Sequence, residues 1–263
     1  MKYFICVGHA NYGGGVISSA DGTSKGGVNE YKYNKELAPY VCKWLKAAGH
    51  EATLCIAPEG QLHSLNDEIK YFINEEHKQN YDLSVQLHLN AFNGSAYGCL
   101  ACCYNANGLP EAQRISAKLG TIWHNRGAEE CPGLYWTRKT KAKAVLVESF
   151  FCDNKDDYAK AKKLGMDAHG KLIAEGILGK TIIIAPAQPK AKYYIQAGAY
   201  GTKENADVMV KVLKKKGFSS SIRKVSGSVP YRVQVGTYRT KKAANKVVKK
   251  LKAAGFTVLV KSL

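Results

Sequence analysis

Residues 82–91 read DLSVQLHLNA, a run in which apolar side chains lead to a histidine near the end. This run predicts a β-strand with His88 at its carboxyl end. The runs YFICVG (3–8) and AVLVESFF (144–151) predict further strands, and segments with helical signals separate the three. Strands that alternate with helices are typical of a mostly parallel sheet covered by helices on both faces. We therefore predict an α/β fold for the first part of the chain.

Local signals predict the remaining elements of this part. Ser64 is a candidate N-cap, Pro110 is suited to the first turn of a helix, and Gly49 marks a helix end. We predict helices over residues 30–49, 65–79, 110–124 and 156–178, and further strands over residues 52–57 and 98–104.

The size and composition of the chain indicate about two ordinary globular domains. It has 263 residues, of which 45% are hydrophobic and 23% charged. No apolar run approaches the roughly 20 residues that a membrane-spanning helix needs. The opening MKYFICVGHA predicts a first strand, because it lacks a long apolar region and a small-residue cleavage site. We therefore expect no membrane partner and no signal peptide.

All eight cysteines precede residue 153. Cys6, Cys42 and Cys55 lie inside apolar runs, which favours reduced thiols packed in a core and a reducing cytosol as the place of synthesis. The fragment that runs from Cys99 to Cys102 and Cys103 also has the spacing of a metal or redox motif. Since it lacks a second pair and lies in a predicted strand, core packing is the favoured interpretation.

The positive charge is concentrated in the last part of the chain. The net charge is +18, and residues 187–263 hold 18 lysines and arginines against only Glu204 and Asp207, a net charge of +16. A nearly neutral body with a basic tail suggests a body that does chemistry and a tail that finds a polyanion. Nucleic acid, an anionic membrane and the bacterial cell wall are the candidate partners.

The basic tail contains an internal repeat with an offset of 38 residues. YYIQAGAYGTKENADVMVKVLKKKGF begins at Tyr193, and YRVQVGTYRTKKAANKVVKKLKAAGF begins at Tyr231. Each copy predicts a strand, an amphipathic helix and a second strand. Together the copies predict a small α+β domain of βαββαβ order, with a four-stranded antiparallel sheet and two helices on one face.

The repeat pairs Gln196 with Gln234 and Tyr200 with Tyr238. Since side chains alternate along a strand, we expect Gln196, Gly198 and Tyr200 to share one face, with the residues between them on the other. Before this repeat, prolines in residues 180–191 predict an extended linker. The predicted domains are therefore residues 1–179 and 192–263.

Three residues in the first domain predict a metal site. His9 follows the first strand, His88 ends a later strand, and Glu30 begins the helix after a glycine-rich loop. Ligands gather at the carboxyl ends of parallel strands, so these side chains are expected to meet in one crevice. Two imidazoles and a carboxylate suit a catalytic zinc with an open fourth position. Taken singly, each residue is also consistent with a structural role, Glu30 as an acid at a helix start.

Glu148 is the candidate proton acceptor. It lies near the end of the apolar run AVLVESFF, where a carboxylate is costly without a partner. A hydrolytic zinc site also needs a carboxylate that takes a proton from water and returns it to the leaving group. We therefore predict that Glu148 is the general base and acid.

Four segments together resemble the zinc-dependent N-acetylmuramoyl-L-alanine amidases of type 3. These segments are VGHANYGGG (7–15), GGVNEYKYN (26–34), SVQLHLNA (84–91) and AVLVESFFCDN (144–154), and the resemblance covers roughly residues 1–178. It implies an amidase type 3 fold, with His9, Glu30 and His88 as zinc (Zn2+) ligands and Glu148 as the catalytic base. The sequence departs from the family in having Cys6-Val7 where an Asp-Pro pair is usual, and in lacking the usual Thr-Arg pair after the second strand.

The resemblance also implies the substrate. Such enzymes hydrolyse the amide bond between the lactyl group of N-acetylmuramic acid and the L-alanine of the stem peptide. Asn90 follows the second histidine as in the family and is a predicted substrate contact. The segment LYWTRKTKAKAV (134–145), before Glu148, is expected to line the cleft. In it, Tyr135, Trp136 and Arg138 are predicted to contact sugar or peptide, with ordinary loop packing as the alternative.

The tail resembles a SPOR domain over residues 192–263, through YIQAGAY and YRVQVGTY. This resemblance implies binding to peptidoglycan glycan strands, particularly those without stem peptides. The predicted contacts, or their supporting core, are Gln196, Tyr200, Gln234 and Tyr238. The helix lysines form either a solvated face or an attraction to an anionic wall that weakens with salt.

Two other classes of function compete with a zinc amidase. A basic βαββαβ domain is similar in outline to an RNA-recognition module, but its strands lack the Gly-Phe aromatic signature, so we expect no nucleic-acid partner. A wall-binding protein with an inactive body is disfavoured because all four catalytic positions carry competent residues. The expected role is a phage endolysin, made in the host cytoplasm without a signal peptide and acting on the wall after release. A lytic enzyme of sporulation, made in the mother cell, is the alternative.

Overall fold

The computed structural model describes residues 1–183 and 191–263, and the chain divides into two compact units, Met1–Ile184 and Ala185–Leu263. Most of the linker predicted over residues 180–191 lies outside the described residues. None of the helices within those two ranges combines the length and apolar character that crossing a membrane requires.

The first unit is built on a six-stranded sheet with the order β4-β1-β5-β8-β6-β7. Neighbouring strands are parallel except for β8 and β6, which are antiparallel. The predicted α/β class with a mostly parallel sheet is therefore confirmed. Strands β2 and β3 form a separate two-stranded hairpin. The strands of this unit are β1 (Lys2–Val7), β2 (Asn11–Gly13), β3 (Val16–Ile17), β4 (Glu51–Cys55), β5 (Leu83–Asn90), β6 (Cys99–Cys103), β7 (Asn125–Glu130) and β8 (Ala144–Phe151).

Helices cover both faces of this sheet. They are α1 (Glu30–Ala47), α2 (Leu65–Glu76), α3 (Leu109–Leu119), α4 (Tyr135–Lys139), α5 (Lys155–Leu164) and α6 (Met166–Leu178). Ile5 and Val7 point into the larger core, which also contains side chains of α1, α3, α5 and α6. Phe4 and Cys6 point to the other face, where α2 and α4 contribute Phe72 and Trp136 to a smaller core. Successive side chains of β1 thus point alternately into the two cores.

Several predicted boundaries were wrong. The single helix expected over residues 156–178 is two helices, because Gly165 between them has a positive φ (+77°) with an extended ψ (156°), a conformation that ends α5 and that glycine adopts readily. The helix expected over residues 110–124 ends at Leu119. Strand β7 was missed because its sequence, NRGAEE, is polar and lies at the sheet edge, where no alternation of apolar residues is required.

Seven of the eight cysteines are buried free thiols, and Cys131 is partly exposed. Cys99 and Cys103 point from β6 into the larger core. The prediction that the cysteines serve mainly as core side chains is confirmed for these seven.

The second unit has the predicted βαββαβ order. Its elements are β9 (Tyr193–Tyr200), α7 (Lys203–Lys215), β10 (Ser221–Lys224), β11 (Tyr231–Tyr238), α8 (Lys241–Ala253) and β12 (Leu259–Ser262). The antiparallel sheet has the order β10-β11-β9-β12. Ile195 and Val233 pack against Leu213 of α7 and Leu251 of α8 in one core. The hydroxyl groups of Thr202 and Thr240, at equivalent positions of the repeat, cap the two helices.

One expectation about this sheet was wrong, because strict alternation does not hold along β9. Gln196 pairs with Gln234, but Gly198 pairs with Val233, so Ala197 forms a bulge. The extra residue turns Gly198 and Tyr200 to the helix side, and the ring of Tyr200 packs against the core there. In the second copy of the repeat, a register shift at Gly236 (φ +60°) precedes Tyr238, which also packs against the core.

Candidate metal centre

The three predicted metal ligands lie together at the carboxyl end of the central strands. Glu30 Oε2 lies 3.1 Å from His9 Nε2, and Glu30 Oε1 lies 3.0 Å from His88 Nδ1. One ligand atom from each residue lies within 4.8 Å of the others. In the part of the chain that the structure describes, no other group of three or more His, Cys, Asp or Glu side chains has this geometry.

The backbone around Gly8 and His9 adapts closely to the His88 ring. The Gly8 N–H donates to the Leu87 carbonyl at 2.9 Å, which holds the chain against β5. A side chain at Gly8 would lie within 3 Å of the His88 imidazole, so only glycine leaves room for that ring. His9 is the single non-glycine residue with positive φ (+70°) in the described ranges. Such strain persists where the surrounding structure enforces it, commonly at functional sites.

Glu30 is held by the start of α1 and by two backbone donors. The Asn29 side chain caps α1 by accepting the Lys32 N–H. The Glu30 carboxylate accepts the N–H groups of Leu89 at 3.0 Å and Ala20 at 3.3 Å. Only 3% of Glu30 is exposed. Burial opposes its ionisation, but the hydrogen bonds from the two imidazoles outweigh burial and lower its pKa.

The loop that precedes Glu30 packs on the end of β8. The Val28 N–H donates to the Cys152 carbonyl at 2.9 Å. Side chains at Gly22 or Gly27 would overlap that same carbonyl, so both glycines permit the close approach. This packing fixes the start of α1 next to the strand that carries Glu148.

These residues fit a zinc ion. Ligands about 2.0–2.2 Å from a tetrahedral zinc lie roughly 3.3 Å apart, close to the separations between Glu30 and the two imidazoles. The donor set of two histidines and one glutamate leaves a fourth coordination position for a reactant. Each imidazole is partly buried and contacts a buried carboxylate, so the three candidate ligands are positioned in advance.

Glu148 lies next to this centre. It pairs with His88 across the parallel strands β5 and β8, which puts the two side chains on the same face of the sheet. Its Oε2 atom is buried and has no hydrogen-bond partner in the described chain. Burial, with the negative charge of Glu30, raises the pKa of Glu148 to about 8.

A pocket of about 300 Å³ extends from His9 and His88 along the α2 side of the sheet. Tyr135 and Trp136, from the segment expected to line the cleft, are among its lining residues, and Trp136 also packs in the smaller core. Their contact with sugar or peptide stays a prediction. Glu68 and Gln86, which were not predicted as site residues, also line it. Gln86 could have been found, because it precedes His88 by two residues and therefore shares its face of the strand. Glu68 carried no such signal, since an acid on an amphipathic helix usually faces solvent.

Asn90 and Arg138 are not among the residues that line this pocket. Asn90 is half-buried, and its side chain accepts the Ala91 N–H at 2.9 Å. Arg138 lies over the Tyr135 ring at 5.2 Å and lines a separate pocket of about 140 Å³. The substrate contacts predicted for these two residues stay predictions.

In the second unit, Gln196 and Gln234 are direct neighbours on the sheet face away from the helices. Ser221 and Leu259 extend this pair into a row across all four strands. Arg223 lies over the Tyr194 ring at 5.9 Å on the same face. Tyr200 and Tyr238 pack on the helix side instead. A contact role therefore stays a prediction for the glutamines, while the tyrosines contribute to the supporting core.

Two protein families match the chain. The family described as N-acetylmuramoyl-L-alanine amidase matches residues 4–179. The SPOR domain family matches residues 189–262.

Individual proteins are similar to the first unit. The catalytic domain of CD27L, an endolysin targeting Clostridia difficile, is 47% identical with a TM-score of 0.66, and the match covers 70% of this chain and 99% of that domain. The amidase AmiC2 of Nostoc punctiforme has the same fold at 20% identity, with a TM-score of 0.57 over 68% of this chain and 96% of AmiC2.

Two curated proteins are similar in sequence. An uncharacterized protein of Clostridium perfringens is 32% identical over 69% of this chain and 53% of its own length. A probable autolysin of Staphylococcus aureus is 25% identical over 69% of this chain and 39% of its own length. The chain thus spans about half the length of the first and less of the second.

Proposed function

Because the chain belongs to the N-acetylmuramoyl-L-alanine amidase family, we propose that it hydrolyses the amide bond between N-acetylmuramic acid and L-alanine in bacterial peptidoglycan. The observation that carries this proposal is the meeting of His9, Glu30 and His88 beside Glu148. Hydrolysis of an amide needs an activated water and a proton donor for the leaving nitrogen, and this arrangement supplies groups for both.

His9, Glu30 and His88 would hold a zinc ion. When bound there, zinc supplies Lewis-acid chemistry, which polarises a carbonyl group and lowers the pKa of water. Hydrogen bonds from Leu89 and Ala20 hold the Glu30 carboxylate between the two imidazoles, which supports the ligand role proposed for it. The geometry of the ligands is therefore set by the fold.

Glu148 would move the proton. Its position beside His88 places a carboxylate on the face where water and the scissile carbonyl would meet. A carboxyl with a pKa raised to about 8 holds a proton more readily than an ordinary glutamate, which suits a group that must protonate the departing alanine nitrogen. The positive charge of a bound metal would favour its ionised form before the reaction, when it acts as a base.

The second unit would hold the enzyme on the wall. We assign glycan binding to the sheet face that carries Gln196 and Gln234, since amide side chains donate and accept hydrogen bonds with sugar hydroxyls. The match to the SPOR family supports a wall-binding role.

A phage endolysin is the biological role that we propose, with action on the wall after release from the host cell. The 47% identity to the catalytic domain of the CD27L endolysin supports this role. An autolysin with the same chemistry is the second candidate, and the similarity to the probable autolysin of Staphylococcus aureus favours it.

The reaction is tested on purified peptidoglycan by counting newly exposed alanine amino groups and new reducing ends. We expect alanine amino groups to appear with the zinc-loaded chain and to disappear with a chelator. Glu148→Gln should lower the rate by at least about 100-fold while its zinc content stays unchanged. Glu129→Gln, which changes an exposed acid on β7, is the matched control and should remain active. New reducing ends without alanine release would contradict the proposal.

A further inference from the structure

The pocket beside the metal centre has a floor and two walls. Gln86 and Leu146 form the floor, two residues before His88 and Glu148 on their strands. Helix α2 forms one wall, and residues 133–136 form the other. One end of the pocket opens at His9 and His88, so a group bound in it would adjoin a bond held at the metal centre.

Two buried polar atoms in the walls lack partners. Glu68 on α2 is 2% exposed, and its Oε1 atom has no hydrogen-bond partner among the described residues. Trp136 is 4% exposed, and its indole N–H has no acceptor within the same ranges. Leaving such groups unpaired in the interior is costly, and a ligand that pairs with them would recover that cost.

The chemistry of these groups selects a ligand. Glu68 can accept an N–H, Trp136 can donate to a carbonyl, and Gln86 can do either. A secondary amide presents one N–H and one carbonyl. The rest of the lining is apolar, which suits a methyl group, and consists of Leu65, Ile69, Phe72, Leu134 and Leu146. A carboxylate in the same place would be repelled by Glu68.

We propose that this pocket binds a second, uncleaved amide of the substrate together with its methyl group, and that Glu68 and Trp136 are the residues that recognise it. The inference rests on the proposed amidase activity. Two amides with a neighbouring methyl flank the scissile bond. One is the acetamido group of the sugar, and the other follows the stem alanine.

The test compares three soluble substrates. The first is an N-acetylmuramoyl peptide, and the other two are esters in which oxygen replaces the N–H of the acetamido group or of the amide after alanine. Glu68→Met should raise the KM for the first substrate by about tenfold, the effect of losing one hydrogen bond to a charged acceptor, with kcat changed less than about twofold. Glu68→Gln, which keeps a carbonyl acceptor, should show a smaller rise.

The two ester substrates identify which amide of the natural substrate the pocket binds. For the ester that lacks the bound N–H, the wild-type chain and Glu68→Met should have the same KM. For the other ester, the difference should persist. An equal rise in the KM of Glu68→Met for all three substrates, or no rise for any of them, would overturn the inference. Glu75→Gln changes an acid of α2 outside the pocket and should leave KM unchanged.

A second variant and a binding measurement keep the test decisive. If Glu68→Met does not fold, Trp136→Phe is the alternative variant. It removes the indole N–H and should raise the KM for all three substrates alike, because each of them keeps the carbonyl to which that N–H would donate. If the wild-type chain releases no alanine, the proposed function fails first. Calorimetric binding of the peptide substrate to the full chain with Glu148→Gln, with and without Glu68→Met, then tests the pocket alone. Equal affinities would reject it.

Discussion

Gly8 supports the candidate metal centre because its lack of a side chain leaves room for the His88 ring. Because a methyl group at this position would overlap the His88 ring, Gly8→Ala should push that imidazole away from Glu30. We expect the variant to bind zinc with less than about a tenth of the wild-type affinity, in line with the usual cost of disturbing a ligand's support. Zinc content after dialysis against graded chelator measures this loss. Gly201→Ala, in the second unit, would bring its methyl group only into ordinary contact with the Ser228 carbonyl at 3.8 Å and should keep full affinity.

The raised pKa of Glu148 predicts how the stability of the metal-free chain depends on pH. Its pKa rises from an ordinary 4.5 to about 8, so the folded chain binds a proton that the unfolded chain has released. Stability from this group is present below about pH 4.5 and is lost as the pH rises towards 8. His9, whose pKa is also raised by Glu30 although burial opposes it, acts in the same direction.

Glu148→Gln should flatten this profile. In chelator, the slope of the free energy of unfolding between pH 5 and 8 should become less negative, by at most about 1.4 kcal/mol per pH unit. Urea unfolding across this range measures the slope. An unchanged slope would mean that Glu148 has an ordinary pKa in the folded chain.

At the scale of elements, Glu76 joins the end of α2 to the segment before β8. This fully buried carboxylate accepts the N–H groups of Lys141 and Ala142 at 3.0 Å and the Ser84 hydroxyl at 3.0 Å. Glu76→Ala would leave the buried Ser84 hydroxyl and two partly buried N–H groups without this acceptor. We expect a loss of about 2–4 kcal/mol in the free energy of unfolding. Glu75→Ala, on the neighbouring and more exposed residue, should cost less than about 0.5 kcal/mol.

The sequence predicted elements best where burial imposes a pattern. The strands around His88 and Glu148 are buried, and their apolar runs predicted the class of fold. The meeting of His9, Glu30 and His88 could also be predicted, because strand ends and a helix start place these residues at one sheet edge. Strand β7 escaped prediction because an exposed edge strand needs no apolar residues.

Other features depend on contacts that local patterns do not encode. The bulge at Ala197 exists because β9 pairs with β11 in a shifted register, and this pairing moved Tyr200 to the helix side. Glu68 became a pocket residue only through the packing of α2 beside His9. Both facts arise from tertiary structure rather than from the spacing of residue types.

At the scale of the whole molecule, the two units differ in net charge. Within residues 191–263 the structure contains one ion pair, between Lys203 and Asp207, so most lysines on α7 and α8 have no acidic partner. Wall binding should therefore include a long-range attraction that salt screens. We expect the chain with Glu148→Gln to bind peptidoglycan about tenfold more weakly at roughly 0.5 M than at roughly 0.05 M salt.

Two variants separate charge from direct contact in this binding. Replacement of Lys249 and Lys250 by glutamate should reduce the dependence on salt. Gln234→Ala should weaken binding at every salt concentration alike, because it removes a predicted sugar contact from a row of uncharged residues across the sheet. Sedimentation with insoluble peptidoglycan measures both. Salt-independent binding by the wild-type chain would contradict the role given to the lysines.

The buried thiols allow unfolding of the first unit to be measured by chemical labelling. Burial raises the pKa of the seven core cysteines, and only the thiolate reacts readily with alkylating reagents. Cys131 alone is partly open to solvent, so brief labelling of the native chain adds one tag and labelling of the unfolded chain adds eight. The mass of the labelled chain therefore reports directly what fraction of a preparation has lost its first unit.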